Sequence, residues 1–391
     1  MNVQETVNQY ESYGIELRRQ IHRHPELSNK EHNTTAFIRA ELAKFGIEPV
    51  DLGLETGLVA DIHGKKPGAG RMVAIRADID ALPVKEATGE EFASENEGVS
   101  HACGHDLHTA ALLVAARVLA EHTDEFSGTV RLMFQPAEES GDGARTLLAH
   151  HVLEPKPDFV LGFHTWPDTP AGMVGVRFGA SHASSDTIKI KVKGKGGHGA
   201  HPYRCIDPVV AACYMVTQMQ TIISRELSIS GGGVLTFGRI QGGTAANVIP
   251  NEVELEGTLR ALDPTKRQQM KDSIVRVAKG SCEAMRAEAE VTIEEGMPPL
   301  VNDLTVIGKV RDAAVKALGA QRVEELKQAS PGSDDFACYL EQVPGALFRM
   351  GTGNENPSTH IGLHNGKNRF DERGIATAAM VLVQFVCDEL N

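Results

Sequence analysis

The chain has 391 residues and 41% hydrophobic content, enough to bury a sizeable core and to suggest two domains. Its formal net charge is -13 and Lys/Arg side chains form no run, so the broad positive field that nucleic acid or anionic lipid requires is missing. The polar N-terminus, six cysteines without paired spacing and the lack of a long apolar stretch predict a cytoplasmic protein with reduced thiols. We therefore expect neither nucleic acid nor a membrane as partner.

The first 180 residues alternate short apolar runs with helical patterns, which predicts an α/β fold. A helix is predicted first, over residues 34–44. The strands and helices that follow are predicted at 57–64, 71–80, 107–122 (helix), 128–135, 145–153 (helix) and 159–164.

The pattern changes near residue 184. Ile188, Ile190 and Val192 alternate with lysines, which is typical of a strand with one buried and one solvent-exposed face. A helix is expected after Asp207, with strands at 233–240 and 252–262, a helix at 264–285 and a strand at 288–294. This β-α-β-β-α-β order is that of the ferredoxin-like module.

After residue 296 strands and helices again alternate along the chain. A helix is predicted at 304–318, a strand at 346–350 and a final helix at 372–390. The simplest interpretation is one α/β domain, built from residues 1–183 and 296–391, that is interrupted by an inserted ferredoxin-like domain at 184–295.

Side chains of the types that bind metals follow the predicted strands of the first domain. Because the carboxyl ends of strands in open α/β sheets form a ligand crevice, these positions can converge. Each alone has an ordinary structural interpretation, and only their joint occurrence favours a metal site. They are Asp78, Asp80, Cys103, His105, Glu138, Glu139, His164 and, in a loop before the last helix, His364.

Five of these side chains are the predicted ligands, and together they offer thiolate, imidazole and carboxylate donors. Such donors suit zinc best and can hold manganese, cobalt or nickel. Five ligands are too many for one catalytic metal with an open position, so two ions about 3.5–4 Å apart are expected. The predicted ligands are Cys103, His105, Glu139, His164 and His364.

Glu138 is the predicted general base. If residues 138 and 139 lie in an extended segment, their side chains point to opposite sides, so that Glu139 binds metal while Glu138 faces the bridging water. The metal pair would lower the pKa of this water, and the resulting hydroxide would attack an amide carbonyl.

Several motifs together resemble the aminoacylase/carboxypeptidase family of metallopeptidases, over essentially the whole chain. More narrowly, they resemble the amidohydrolase branch with hippurate hydrolases, indoleacetyl-amino-acid hydrolases and N-acetyldiaminopimelate deacetylases. The motifs are His-Ala-Cys-Gly-His-Asp (101–106), Ile-Arg-Ala-Asp-Ile-Asp-Ala-Leu-Pro (75–83), Gln-Pro-Ala-Glu-Glu (135–139), Gly-Gly-His-Gly-Ala-His-Pro (196–202) and Gly-Ser-Asp-Asp-Phe (332–336).

The resemblance implies a metal-dependent amidohydrolase that splits N-acyl amino acids into a carboxylic acid and an amino acid. It further implies that His198 stabilises the oxyanion, that Asn247 and Arg260 hold the substrate carboxylate, and that the insert is a lid and dimerisation domain. In the homodimer expected from this, His198 would complete the active site of the partner; the alternative is a monomer whose own lid closes, with His198 acting within its own chain. Where the wider family has a His-x-Asp pair, this chain has Arg76-Ala-Asp78, so Asp78 and Asp80 are expected to support the ligands rather than to bind metal.

Other functions remain open at this point. A dipeptidase, a carboxypeptidase or an N-acetyldiaminopimelate deacetylase would share the chemistry, and a non-enzymatic metal or amino-acid binding protein would share the fold. The spare carboxylate of Glu138 argues against simple binding. A Gly-x-Gly-x-x-Gly string at 194–199 could suggest a nucleotide, but Pro202 interrupts the helix that such a site needs. The acyl group, the amino acid and the native metal are not indicated.

Overall fold

The computed structural model describes residues 1–228 and 232–391, which form two compact units. Unit 1 comprises Met1–Gly179, Asn302–Gln328 and Asp335–Asn391. Unit 2 comprises Ala180–Val301 and Ala329–Asp334, so it extends a few residues beyond the predicted insert at both ends and takes in one further short segment.

The helices and strands are numbered here along the chain. The helices are α1 (Val3–Asn8), α2 (Glu11–Arg23), α3 (His32–Ala43), α4 (His105–Glu121), α5 (Gly143–Ala149), α6 (Pro208–Thr221), α7 (Pro264–Ala284), α8 (Leu304–Leu318), α9 (Ala337–Leu340) and α10 (Arg373–Glu389). The strands are β1 (Pro49–Val50), β2 (Leu58–His63), β3 (Met72–Asp78), β4 (Thr129–Gln135), β5 (Phe159–Pro170), β6 (Val174–Val176), β7 (Gly179–His182), β8 (Asp186–Lys193), β9 (Gly197–His198), β10 (Gly233–Gly242), β11 (Val248–Ile249), β12 (Glu252–Ala261), β13 (Glu288–Glu295), β14 (Leu300–Asn302), β15 (Val323–Glu325) and β16 (Gly345–Gly353).

Unit 1 is built on an eight-stranded sheet in the order β1-β2-β4-β3-β5-β16-β6-β15. Its central strands β4, β3, β5 and β16 run parallel to one another. Every residue of β3 and of β16 is buried, as expected for parallel strands covered on both faces. The carboxyl ends of β3, β4 and β5 therefore lie at one edge of the sheet, where the predicted ligands follow these strands.

Unit 2 has a four-stranded antiparallel sheet in the order β10-β12-β8-β13. Together with α6 and α7 this gives the strand order of a β-α-β-β-α-β module. Ile188, Ile190 and Val192 face a core of its own, and the alternating lysines lie on the other face. The predicted start of α6 is present, since the Asp207 carboxylate caps the helix and Pro208 is its first residue.

Most elements predicted from the sequence agree with the structure within a few residues, but several short elements and the N-terminal helices were not predicted. The elements that were not predicted are the helices α1, α2 and α9 and the short strands β1, β6, β7, β9, β11, β14 and β15. Strand β5 continues six residues past its predicted end at His164, to Pro170. No helix in the described ranges is long and apolar enough to cross a membrane.

Candidate metal centre

The N-terminus of α4 carries two of the predicted ligands. Cys103 precedes the helix, Gly104 is the N-cap with a φ of 91°, and His105 is the first helical residue. A Cβ at Gly104 would lie 2.7 Å from Cγ2 of Thr165, so only glycine fits between the two ligands. The positive end of the helix dipole favours negatively charged groups at this point.

The hydrogen bonds of His105 fix which of its nitrogens can bind a metal. Nδ1 lies 3.0 Å from the backbone oxygen of Asp80, which can only accept, so Nδ1 carries the proton. The lone pair is then on Nε2, which is buried and has no hydrogen-bond partner among the described residues. A histidine held by its other nitrogen in this way is the usual arrangement of a metal ligand.

His164 is oriented in the same way. Its Nδ1 lies 2.8 Å from the backbone oxygen of Thr165, which again places the proton on Nδ1. Its Nε2 is 3.5 Å from Sγ of Cys103. The rings of His105 and His164 meet edge to face with centroids 6.0 Å apart.

Glu138 and Glu139 lie in a turn, so the prediction that they occupy an extended segment is wrong. Ala137 has a φ of 55°, and the Gly141 amide donates to the carbonyl of Glu138, which bends the chain directly after β4. Both carboxylates nevertheless face His105. Its Nε2 lies 3.9 Å from Oε2 of Glu138 and 3.8 Å from Oε1 of Glu139.

His364 reaches the same cluster from the segment before α10. Its backbone amide donates to the carbonyl of Ala102, and its φ of 63° is uncommon for a residue other than glycine. Its Nε2 lies 3.4 Å from Oε1 of Glu139. The side chain is 54% exposed, which makes it the most open of the predicted ligands.

The structure brings all five predicted ligands and Glu138 together in overlapping triplets, in each of which the potential ligand atoms lie within 4.8 Å of one another. Atoms bound to one cation at about 2.0–2.3 Å stand about 3–4 Å apart, which is too far for most hydrogen bonds. This is the spacing around Nε2 of His105. The triplets are Cys103, His105 and His164; Cys103, Glu139 and His364; and His105, Glu138 and Glu139.

The electrostatics of the cluster follow from its burial. Burial, reinforced by the charge of Glu139, raises the pKa of the Cys103 thiol well above its usual range. Burial alone would lower the pKa of His105, but the carboxylate of Asp78 raises it well above its ordinary value. A divalent cation would favour the thiolate and the neutral imidazole instead, since these are the forms that bind metals.

Asp80 supports two of the predicted ligands at once. Its Oδ1 lies 3.2 Å from Nδ1 of His105, and its Oδ2 accepts the backbone amide of Glu139 at 3.0 Å. The hydroxyl of Ser28 donates to the same carboxylate. Burial would raise the pKa of Asp80, but its bond with His105 lowers the pKa overall, so the carboxylate stays ionised.

His108 belongs to the same network, although the sequence analysis did not single it out. The Thr165 amide donates to its Nε2 at 2.8 Å, and its Nδ1 hydrogen-bonds to Asp78, which is also paired with the buried guanidinium of Arg76. This guanidinium holds the pKa of Asp78 well below its usual range, although burial alone would raise that pKa. His105 and His108 are three residues apart at the start of α4, so their side chains are expected on the same face of this helix. This spacing could have identified His108 from the sequence.

The predicted residues of unit 2 fall at two separate places. His198 is in β9 and pairs with Val248 of β11, and the Gly199 amide donates to the carbonyl of Asn247, so His198 and Asn247 are close together. They lie near the Glu252 end of β12, where Asn251 accepts the amide of Gly196. Arg260 lies at the other end of this strand, where it bonds to Thr258. Residues 252 and 260 of β12 are eight residues apart, and at about 3.3 Å per residue this part of the strand is roughly 26 Å long.

The fold and the side chains together define a protein of the α/β class. At the carboxyl ends of its central strands it has a cluster of side chains that can bind metal ions, called the metal-type cluster below. The model of the family described as "Peptidase family M20/M25/M40" matches residues 74–388. The chain is 41% identical over 371 residues to the N-acetyl-L-cysteine deacetylase of Bacillus subtilis, which covers 95% of this chain and 86% of that protein. It is 37% identical to thermostable carboxypeptidase 1 of Saccharolobus solfataricus, over 97% of both chains.

A solved structure is similar over nearly the whole length. It is the YXEP protein of Bacillus subtilis, described as a dinuclear metal binding peptidase from the M20 family, with 36% identity, a TM-score of 0.85, and coverage of 98% of this chain and 99% of that one. The chain belongs to the M20/M25/M40 peptidase family and is a hydrolase.

Proposed function

We propose that this chain is a metal-dependent amidohydrolase that cleaves N-acyl amino acids into a carboxylic acid and a free amino acid. The observation that carries the proposal is the pair of buried atoms, Nε2 of His105 and Oε1 of Glu139, that have no hydrogen-bond partner in the described part of the chain. Leaving such atoms unsatisfied is costly unless a cation binds them. The proposed ligands of two divalent ions are Cys103, His105, Glu139, His164 and His364.

The donor set fits zinc first, because thiolate and imidazole are its usual ligands, while manganese, cobalt and nickel can use the same atoms. Bound divalent ions supply Lewis acidity and lower the pKa of an attacking water. The similar protein described as dinuclear supports two ions rather than one.

Glu138 is the proposed general base. Its side chain is about one-tenth exposed, its Oε2 lies 3.9 Å from Nε2 of His105, and it is not one of the five proposed ligands. From there the carboxylate can take a proton from the attacking water and return it to the leaving amine nitrogen. His198 is proposed to donate a hydrogen bond to the carbonyl oxygen as charge develops on it.

We further propose that unit 2 is a lid and dimerisation domain and that the active form is a homodimer. Because Arg260 lies at the opposite end of β12 from His198 and Asn247, and this strand is roughly 26 Å long, we do not expect one chain to present all three to one small substrate. Two copies related by a two-fold axis can do so, one supplying Arg260 to the substrate carboxylate and the other supplying His198 and Asn247.

Exposed apolar side chains of unit 2 support this association. In the described residues β10 is an edge strand, and its Val234 and Ile240 are about half exposed. Val210 and Tyr214 of α6 are similarly exposed. Pairing with a second copy would cover an open strand edge and these side chains.

The experiment that tests the function measures amino acid release by the metal-loaded protein, with the Glu138→Gln variant as the inactive control. N-acetyl, N-benzoyl and N-indoleacetyl amino acids would be compared with dipeptides and longer peptides. Release from N-acyl amino acids is the expected result. Release from peptides alone would instead favour the carboxypeptidase or dipeptidase alternative, to which the similarity to a named carboxypeptidase gives weight. Metal binding without hydrolysis of any of these would contradict an enzymatic function.

A further inference from the structure

Arg349 presents an unsatisfied guanidinium inside unit 1. The residue lies in β16 and is 6% exposed. Its Nε and Nη2 are buried and have no hydrogen-bond partner among the described residues. One face of the guanidinium stacks on Trp166, with Cζ 3.6 Å from the ring centroid. Stacking satisfies the face of the group but not its N–H donors, which point outward in the plane.

Other arginines of the chain show what the guanidinium edge formed by Nε and Nη2 binds. The Nε and Nη2 atoms of Arg131 hold the carboxylate of Asp61 at 2.9 and 2.8 Å. Arg267 uses the same two atoms for Asp186, at 2.9 and 2.6 Å. This side-on fork matches a carboxylate with two parallel hydrogen bonds. In Arg349 the same pair of atoms is buried and unsatisfied.

A second guanidinium, that of Arg177, adds positive charge near Arg349 and so favours binding of an anion there. Arg177 follows β6, and because Gly175 of that strand pairs with Arg349, residue 177 lies on the same face of the sheet. Its Nε is also buried without a hydrogen-bond partner in the described part of the chain. Burial and the charge of Arg177 lower the pKa of Arg349 to about 10, against the opposing effect of the Asp168 carboxylate, so Arg349 is still protonated at neutral pH.

The position of Arg349 relates it to the metal cluster within unit 1. Arg349 pairs in parallel register with His164, one strand away. The preceding pair, Phe163 and Phe348, stacks with ring centroids 5.7 Å apart, so paired side chains of these strands share a face. The side chain of Arg349 therefore leaves the sheet beside that of His164.

We propose that the Nε and Nη2 edge of Arg349, stacked on Trp166 and flanked by Arg177, binds the carboxylate of a small organic acid next to the metal cluster. The carboxylate could be a second acidic group of the substrate, such as the free end of a dicarboxylic acyl chain, or a free acid such as the reaction product. A carboxylate of the substrate or of the product rests on the proposed amidohydrolase function, whereas binding of another free acid does not.

The binding test titrates the metal-loaded full chain with succinate and with acetate at constant ionic strength, with chloride as the reference anion. Arg349→Met keeps a long side chain on Trp166 but removes the fork, and we expect it to raise the Kd at least about tenfold. Arg117→Met is the matched control, since Arg117 also stacks on an aromatic ring of unit 1, that of Tyr10. It should bind like the wild type. Carboxylate that binds only to metal would be unaffected by Arg349→Met, and that result would overturn the proposal.

Two further variants keep the test decisive if Arg349→Met does not fold. Arg349→Lys keeps the charge without the fork and should weaken binding clearly, whereas Arg177→Met should weaken it less. Wild-type binding of succinate in both variants, or wild-type protein that prefers chloride, would refute the site.

Steady-state kinetics distinguish the two possible sources of the carboxylate. They compare the N-succinyl and the N-acetyl derivatives of the same amino acid as substrates. If the carboxylate belongs to the substrate, Arg349→Met raises KM for the N-succinyl compound at least about tenfold and leaves the N-acetyl compound unchanged. If it is a free acid, both substrates respond alike, and succinate inhibits the wild type more strongly than the variant. Unchanged KM values together with unchanged inhibition would contradict both forms of the proposal.

Discussion

The metal-type cluster of unit 1 and the proposed substrate groups of unit 2 are built in opposite ways. Around the cluster, His105, His108, Asp78 and Asp80 are almost fully buried, and each is held by hydrogen bonds to other elements of the unit. In unit 2, His198 and Asn247 are exposed, and the nearest support of the His198 ring is a bond to the Ala200 amide two residues away.

This difference is the basis of the proposal that the cluster forms within one chain, whereas the unit 2 groups act in a dimer. The imidazoles of His105 and His164 are preorganised, because they cannot rotate away without breaking buried hydrogen bonds. The exposed unit 2 groups have little such support. The following predictions test this contrast, from the largest expected effect to the smallest.

Glu138→Gln should lower kcat by about 10²–10⁴ while leaving the metal content unchanged, because the amide keeps the shape but cannot take a proton. Glu139→Gln is the matched control at the neighbouring position, and it should lose metal affinity instead. Metal analysis and steady-state kinetics on both variants check the assignment. Equal metal loss in the two variants, or full activity of Glu138→Gln, would show that the roles are wrong.

Asp80→Asn should weaken metal binding by about 10–100-fold, because Asp80 orients both His105 and the backbone of Glu139. Asp61→Asn, which breaks the pair with Arg131 away from the cluster, should lower stability without changing metal affinity. Competition with a chelator measures the affinity, and thermal unfolding of the metal-loaded protein measures the stability. If Asp80→Asn binds metal like the wild type, the cluster does not depend on this support.

Mixing Glu138→Gln with His198→Ala under conditions of subunit exchange should restore activity towards a quarter of the wild-type level. At random 1:1 mixing half of the dimers are mixed, and in each of them one of the two sites has both wild-type residues if His198 acts in the partner chain. Mass spectrometry of differently labelled chains would establish the exchange. Proven exchange without any recovery would show that His198 acts within its own chain.

The sequence predicted the parts of the site that follow from strand ends and from residue chemistry. The side chains could be grouped because each lies near the recognisable end of a strand or start of a helix, and the structure brings them together. They are Cys103, His105, Glu139, His164 and His364. The turn at Ala137 was missed because its positive φ occurs at a residue that rarely adopts it.

The supporting network was harder to predict, because it depends on contacts between distant parts of the chain. Helix α2, which has no strong capping signal, contributes Arg18 and His22, and both bind the carboxylate of Asp106 at the start of α4. Arg76 was recognised only as a departure from the family pattern. Its bonds to Gln135 and Asp335 join positions 59 and 259 residues away, and no local pattern records them.

The central claim, that two metal ions held by this cluster carry the reaction, is tested most directly by removing the metal and returning it in measured amounts. The metal-free protein should be inactive towards an N-acetyl amino acid, and activity should rise with added zinc or manganese until about two ions are bound per chain. Full turnover by metal-free protein would contradict the claim. Activity that saturates at one bound ion would contradict the two-ion site.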